Sequence, residues 1–534
     1  MSLDYRLGIR PVGLTDTASA KRAHAALIFD APQPSSSPTI AHRFHSVCTT
    51  HPARMCVEDH RGARDYHWLH CQASHVANHL AHQPRFETGA RIGIDLTNSP
   101  EYVAAFYGIQ LAGGVAVPIP PYYRGHRFQQ LLEITQTSFL IEPVQSDPLG
   151  TIQNGHVLEL DATRVHPQFK RIETNLQLAM LLFTSGSSGR PKAVMLSHQN
   201  VLCNLQSILK SLPLATSDRT MANMPFAHAL GNSVLQSHVL NGACLIFPKS
   251  LLFPMAFVSA LETHRCTNLI AVPEVFDLLI KGIEQTDTIA PSLRFMAVAG
   301  GRMNPKRIQK LARRIAPADF FVMYGQTEAT ARLACTRIKP SLNSTDTIGL
   351  PIPGVEFSIR DDRGNELDKG EEGTLYARGE NVMLGYWNDP AGTASVLTDG
   401  WLNTGDRAVK DFSEHFYIVG RDNGLIKISG YRFHPSEVDA FLEQLDSAKQ
   451  YKTVSYRTLG QTKLATFVQA RSLCQQEVQE LRRICAENLP KYMVPHQIKA
   501  ISSWPLNSAG KVDALALSQR VTQKLHPADL NRIA

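Results

Sequence analysis

The stretch LLFTSGSSGRPKAVMLSHQN, residues 181 to 200, decides how this chain is read. An apolar run beginning at Leu178 passes without a break into Thr184-Ser185-Gly186-Ser187-Ser188-Gly189-Arg190-Pro191-Lys192. A short continuous apolar run closed by a turn predicts a buried strand. Hydroxyls and backbone amides of a glycine-rich turn can converge on a polyphosphate, and Arg190 and Lys192 add positive charge there. The spacing is not the GxxxxGK[ST] of P-loop nucleotide-binding proteins. A flexible Gly/Ser linker is the plain alternative, but a linker does not usually follow a buried strand and carry Pro191-Lys192.

Outward from this stretch the same alternation recurs. Apolar residues spaced by three and four predict a helix over 66–82. A strand over 91–96, a helix ending at Gly113-Gly114 and a strand VAVPIPP follow, which is the order of a parallel crossover unit. Further strands are predicted at 243–247, 268–272 and 295–300, with helices at 200–212, 257–264 and 305–315. The fold class is therefore α/β, with a large multi-subdomain N-terminal region. From Gly349 to Val419 short alternating runs separated by glycine-rich turns predict a β-rich subdomain. A smaller α+β segment follows, with helices at 435–445 and 476–489. The expected division is a poorly structured lead-in over 1–40, a main domain over 41–421 and a small mobile C-terminal domain over 422–534.

Composition narrows the function classes. With 43% hydrophobic and 19% charged residues the chain has ample material for cores, which excludes disorder as its main state. A net charge of +7 fits an anionic substrate or an acidic carrier and does not mark a nucleic-acid protein. The nine cysteines contain no CxxC pair, so neither a disulfide framework nor a zinc ribbon is supported, and a reducing, cytoplasmic setting is expected. The start has no apolar core of signal-peptide length, the end carries no lipidation or peroxisomal signal, and no stretch reaches the roughly 20 apolar residues of a membrane helix.

Several motifs stand in a fixed order. TSGSSGRPKAV is followed by Tyr324-Gly-Gln-Thr-Glu328, Gly400-Trp-Leu-Asn-Thr-Gly-Asp406, the junction GRDNGLIKISGYRFHPSEVD at 420–439, and Asn507-Ser-Ala-Gly-Lys511. GIQLAGGVAVPIPP precedes them all. This set resembles the adenylate-forming (AMP-dependent synthetase/ligase) superfamily, in particular its acyl-CoA synthetases, over nearly the whole chain after residue 40. The chain departs from that pattern at Ser188, where threonine is usual, at Ala193, where glycine is usual, and at Asn423 and Gly424, where charged residues are common.

The resemblance implies a chemistry and assigns residues to it. A carboxylic acid would be joined to the α-phosphate of ATP with release of pyrophosphate. The acyl group would then pass to the thiol of CoA or of the phosphopantetheine on an acyl-carrier protein. Thr184, Ser185, Gly186, Ser187, Ser188, Gly189 and Lys192 are implied to hold the β- and γ-phosphates. Tyr324 is implied to pack on adenine, Thr327 to contact the α-phosphate, Asp406 and Arg421 to bind ribose, and Glu328 to hold Mg²⁺. Lys511 is implied to carry its charge to the meeting point of carboxylate and phosphate. Asn423 matches the hinge and Gly430 the glycine beside the thiol tunnel.

Pro225-Phe-Ala-His-Ala-Leu-Gly231 resembles the P-x-x-H-x-x-G segment of acyl-CoA synthetases, which places His228 at the acyl pocket. Ala299, Gly300, Gly301 and Met303 are expected to add to its wall. No Asp or Glu occurs from Arg219 to Leu261, and a buried ammonium without a partner is costly. An amino-acid substrate is thereby disfavoured. A fatty acid is expected, with an aryl acid as the alternative within enzymes and a non-catalytic nucleotide-binding protein of the same fold as the alternative outside them. His67, His70, His75, His79 and His82 cluster on one predicted helix. They lack an HExxH pattern or an acidic ligand, so they read as a polar face and not a metal site.

Overall fold

Strands that are apolar along their whole length, as LAMLLF is, belong in parallel sheets covered on both faces. The computed structural model describes residues 7–12, 38–121, 123–143, 156–158, 177–185, 191–249, 251, 253–283, 289–301, 303, 305–338, 347–421, 426–429, 431–433, 435–445, 449–458, 461–505, 512 and 514–522. Strand Leu178–Ser185 lies inside an eight-stranded sheet, between Pro191–Ser197 and Val115–Pro118. Arg91–Ile94 pairs parallel with Val115–Pro118, Arg91 opposite Val115, and helix Pro100–Ala112 connects them. This is the crossover unit that the sequence predicts.

The second large sheet has nine strands. Its parallel centre runs Asp319–Tyr324, Phe295–Val298, Asn268–Ala271, Arg219–Met221, Cys244–Ile246 and Met55–Asp59. Helix Pro100–Ala112 touches strands of both sheets, and every one of its residues is buried. That explains why its sequence is apolar around the whole circumference. Its single carboxylate, Glu101, meets the Arg61 guanidinium at 2.6 Å. The β-rich subdomain is antiparallel, built on Val355–Arg360, Glu372–Gly379, Trp401–Lys410 and Phe416–Arg421.

The chain divides into two compact units. The larger comprises residues 1–121, 126–183 and 193–422, and the smaller 122–125, 184–192 and 423–534. The smaller unit contains a hairpin, Ile426–Ile428 with Tyr431–Phe433, and a sheet of Tyr451–Thr458, Gln461–Gln469 and Gln497–Ile501. Helices Ser436–Leu445 and Gln475–Asn488 supply Val438, Leu442 and Cys485 to its core.

One expectation is corrected. The lead-in is not poorly structured throughout, because Leu7–Pro11 is a strand. It pairs antiparallel with Phe139–Pro143 on one side and His156–Leu158 on the other. Arg10 meets Glu142 at 2.6 Å across the first of these pairings. The partners are more than a hundred residues away, so a local window around Gly8 does not show the pairing. Residues 13–37 lie outside the described residues. The histidine-rich helix, Tyr66–Ala81, also differs from a simple polar face. His70 Nε2 meets His45 Nδ1 of helix Ile40–Thr50 at 3.1 Å. Among the described residues no helix is long and apolar enough to cross a membrane.

Two structural histidines make stability pH-dependent. Burial, reinforced by the neighbouring His45 and His67, holds His70 down to about 4, and burial with His42 nearby does the same for His198. Both are neutral in the fold at pH 7, whereas the unfolded chain protonates them near 6.5. The unfolded state therefore binds more protons, and stability present above pH 6.5 is lost as pH falls toward 4. The urea midpoint should fall across that window, and less steeply in His198→Gln. A midpoint flat from pH 7 to pH 4.5 would contradict this account.

Candidate active site

The C-terminal ends of parallel strands are where α/β sheets expose their loops to ligands. Two adjacent strands of the second sheet end in the motifs predicted above. Phe295–Val298 leads into Ala299-Gly300-Gly301, and Asp319–Tyr324 leads into Gly325-Gln-Thr-Glu328. Thr327 to Ala329 forms a single tight helical turn. Thr330 (φ 54°) and Ala331 (φ 84°) then adopt the left-handed conformation, which side-chain-bearing residues rarely accept.

This hairpin of backbone is held from several sides. The Ala331 amide donates to the Gln326 carbonyl at 3.0 Å. Thr330 Oγ1 donates to the Asn381 carbonyl at 2.6 Å, and Asn381 Nδ2 donates to the carbonyls of Ala329 (3.1 Å) and Arg332 (3.0 Å). Asn204 Nδ2 also donates to the Arg332 carbonyl at 2.9 Å. Asn200, the last residue of the quoted stretch, caps its own helix reciprocally with Ser197. Its Nδ2 donates to the carbonyls of Glu380 and Val382 at 2.7 and 2.8 Å. The quoted stretch thus fixes the segment that fixes the Tyr324–Arg332 turn.

Tyr324 and Asp406, far apart in sequence, are brought together, with the tyrosine hydroxyl donating to Asp406 Oδ2 at 2.6 Å. Both residues are buried. Asp406 stands directly opposite Arg421 in the antiparallel pairing of Trp401–Lys410 with Phe416–Arg421. Glu328 Oε1 accepts from the Tyr386 hydroxyl at 3.0 Å. Tyr386 pairs with Val194, two residues past Lys192 on strand Pro191–Ser197. Burial, with the Glu328 charge beside it, pushes the Tyr386 hydroxyl far above its usual range, so it stays a donor. Sequence reading missed Tyr386 and the two asparagines Asn200 and Asn381. Their only sequence signal is proximity to recognised motifs.

Other expected residues are placed as follows. Thr184 and Lys192 are half-buried on the strands flanking the glycine-rich turn. Gly186, Ser187, Ser188 and Gly189, like Asn423, Gly430 and Lys511, lie outside the described residues, and only the backbones of Ser185 and Arg421 are described. His228 is the N-cap of helix Ala229–Val239. Surrounding protein lowers its pKa to about 4, so at pH 7 it is an uncharged imidazole and no counter-ion. Met303 is buried in the core of the second sheet with Ile308 and Phe320.

Beside the Pro225–Gly231 segment lies a cleft of about 290 Å³, walled by Leu96, Pro121, Phe226, Phe247 and Leu251 among others. Asn98 ties its floor together. Its Nδ2 donates to the carbonyls of Ala222 and Met224, and its Oδ1 accepts from the Phe226 amide.

Three comparisons bear on this arrangement. The family model for AMP-binding enzymes matches residues 44–387. The long-chain-fatty-acid–CoA ligase of Bacillus subtilis (strain 168) is 25% identical over 495 residues, covering 82% of this chain and 87% of that protein. Tyrocidine synthase 3 of Brevibacillus parabrevis is 27% identical over 447 residues, which is 80% of this chain and only 7% of that much larger protein. Among solved structures, the o-succinylbenzoate CoA synthetase of Bacillus subtilis has a TM-score of 0.77 at 22% identity, over 89% of this chain and 97% of that one.

The turn itself yields a test. A Cβ built on Gly325 would lie 1.8 Å from the Ala331 carbonyl oxygen, a backbone atom that cannot step aside. Gly325→Ala should therefore force the Tyr324–Arg332 turn open. We expect a stability loss of about 3 kcal/mol or more by urea denaturation, in the range of severe steric substitutions. Wild-type stability in Gly325→Ala would show that the turn is not held as described.

Proposed function

Since the chain belongs to the AMP-binding enzymes, we propose that this site activates a carboxylic acid lacking an α-ammonium group, in the first instance a fatty acid. The chain is an acid–thiol ligase, which activates its acid with ATP and passes the acyl group to a thiol. The observation that carries the reading of the nucleotide site is the convergence of Tyr324 on Asp406 and of Glu328 on Tyr386, both from the segment that closes strand Asp319–Tyr324.

In adenylation a carboxylate oxygen attacks the α-phosphorus and pyrophosphate leaves. Two anions must approach, so amides and cations must be in place where charge accumulates. In this reading the turn from Thr184 to Gly189, with Lys192, holds the β- and γ-phosphates. The Tyr324 hydroxyl orients Asp406, whose other oxygen, with Arg421, takes the ribose hydroxyls. Thr327 meets the α-phosphate. Glu328 suits Mg²⁺, because this hard ion takes one or two carboxylates and completes its shell with phosphate oxygens and water. Tyr386 holds that carboxylate by one oxygen and leaves the other for the ion, which when bound offsets phosphate charge. Lys511 brings a flexible cation to the reacting atoms, and the segment 422–534 turns about Asn423 between the two half-reactions, with Gly430 beside the entering thiol. The acceptor is CoA or a phosphopantetheinyl carrier.

The substrate reading is supported by the absence of Asp and Glu from Arg219 to Leu261 and by the apolar walls of the cleft at Phe226, Phe247 and Leu251. Each methylene buried there contributes about 0.8 kcal/mol. Acid-dependent ATP–pyrophosphate exchange, run across straight-chain acids, aryl acids and amino acids, tests the proposal. Non-amino acids should give the highest kcat/KM, and a preference for an amino acid would overturn the substrate reading. Lys511→Ala should lower exchange by about 10²–10³ with the fold intact. Near-wild-type exchange in that variant would remove Lys511 from the chemistry.

A further inference from the structure

Arg332, four residues past Glu328, is a buried cation whose charge meets no carboxylate among the described residues. It is 2% exposed. Its Nε and Nη1 have no hydrogen-bond partner, and its Nη2 reaches only Ser233 Oγ, at a long 3.4 Å. Burial lowers its pKa to about 10, which leaves it charged at pH 7. Removing a guanidinium from water without a counter-ion is among the costliest arrangements in a protein interior. Nevertheless its main chain is held in place by Asn204 and Asn381, and two left-handed residues lead into it. The fold therefore presents this cation instead of releasing it to solvent.

The surroundings are rich in donors. Ser233 and Gln236 lie three apart on helix Ala229–Val239, on the same face. With Asn204, Asn232, Ser237 and Thr330 they line a small internal cavity of about 10 Å³, room for one water-sized group. Gln236 Oε1 is occupied by the Tyr107 hydroxyl at 3.1 Å, while its Nε2 has no partner. Among the described residues Arg332 and Gln236 thus leave N–H groups unanswered; the unpartnered acceptor Asn381 Oδ1 is a neutral amide oxygen, and the guanidinium has no anion. Ser233 is five residues beyond His228, which is about 7.5 Å further along the helix axis at 1.5 Å per residue.

We propose that Arg332, assisted by Gln236, is the far end of the acyl site, and that the acid activated by this chain carries a second carboxylate that meets it there. This rests on the reading that His228 marks the reacting end of the acid. It narrows the substrate from an aliphatic acid to one bearing an anionic oxygen at its tail, because a hydrocarbon terminus would leave the guanidinium uncompensated. The same cation disfavours an ammonium by repulsion.

The experiment compares length-matched monocarboxylic, ω-hydroxy and dicarboxylic acids by ATP–pyrophosphate exchange, in the wild type, Arg332→Met and Arg332→Lys. In the wild type the diacid should lead the monoacid of equal length by about 10- to 100-fold in kcat/KM, the range of a hydrogen bond to a charged group. Arg332→Met should reverse that order, and Arg332→Lys should keep part of the preference. Wild-type preference for the monoacid, or a preference for the diacid that Arg332→Met leaves unchanged, would overturn the proposal. A wild-type preference for the ω-hydroxy acid over the diacid would overturn its anionic part. If Arg332→Met fails to fold, the wild-type ranking and Arg332→Lys still decide. Exchange with no acid of any kind would instead sink the functional reading beneath it, so the two failures are distinguishable.

Discussion

Everything at the candidate site depends on one constraint, the folding back of Tyr324–Arg332 on itself. Gly325 lies against the carbonyl of Ala331, so the turn closes only because no side chain intervenes. Thr330 and Ala331 pay for that closure with left-handed backbone. The opposing stabilisation is hydrogen bonding from Asn381, Asn204 and Thr330 to main-chain carbonyls that would otherwise be buried without partners. From this single turn project Tyr324 toward Asp406, Glu328 toward Tyr386, and Arg332 toward Ser233.

The turn also couples distant parts of the larger unit. Asn200 stands on the helix that follows strand Pro191–Ser197, and its side chain holds the Glu380–Val382 backbone, from which Asn381 reaches the turn. Tyr386, a few residues on, pairs with the same strand and donates to Glu328. The glycine-rich stretch and the Tyr-Gly-Gln-Thr-Glu motif are thus linked through a third segment that carries no recognisable chemistry of its own. Such supporting hydrogen bonds position functional side chains without touching a ligand.

Charge placement sets the character of the acyl region. His228 is held neutral by burial, and no acidic residue lies between Arg219 and Leu261. Arg332 meets no carboxylate among the described residues, and its Nη2 reaches Ser233 on helix Ala229–Val239. A site with that balance suits an acid and resists a zwitterion, on electrostatic grounds alone.

The sequence by itself determined the α/β class, most strands and helices of the larger unit, and the motifs at Tyr324–Glu328 and Asp406. Those signals are local: apolar runs, turn residues and short motifs sit within a dozen residues of one another. The tertiary structure decided what depends on distant partners. Leu7–Pro11 is a strand because Phe139–Pro143 and His156–Leu158 accept it, and no window around Gly8 contains that information. Helix Ala229–Val239, rich in Ser, Asn and Gly, was not legible because burial of its residues from Gly231 to Val239 outweighs weak propensity. Tyr386, Asn200 and Asn381 gain their roles from hydrogen bonds across long stretches of chain. Arg332 reads in the sequence as an ordinary surface arginine. Only the tertiary structure, with Asn204 and Asn381 holding its main chain and Ser233 at its Nη2, shows a guanidinium withdrawn from water and without an anion among the described residues.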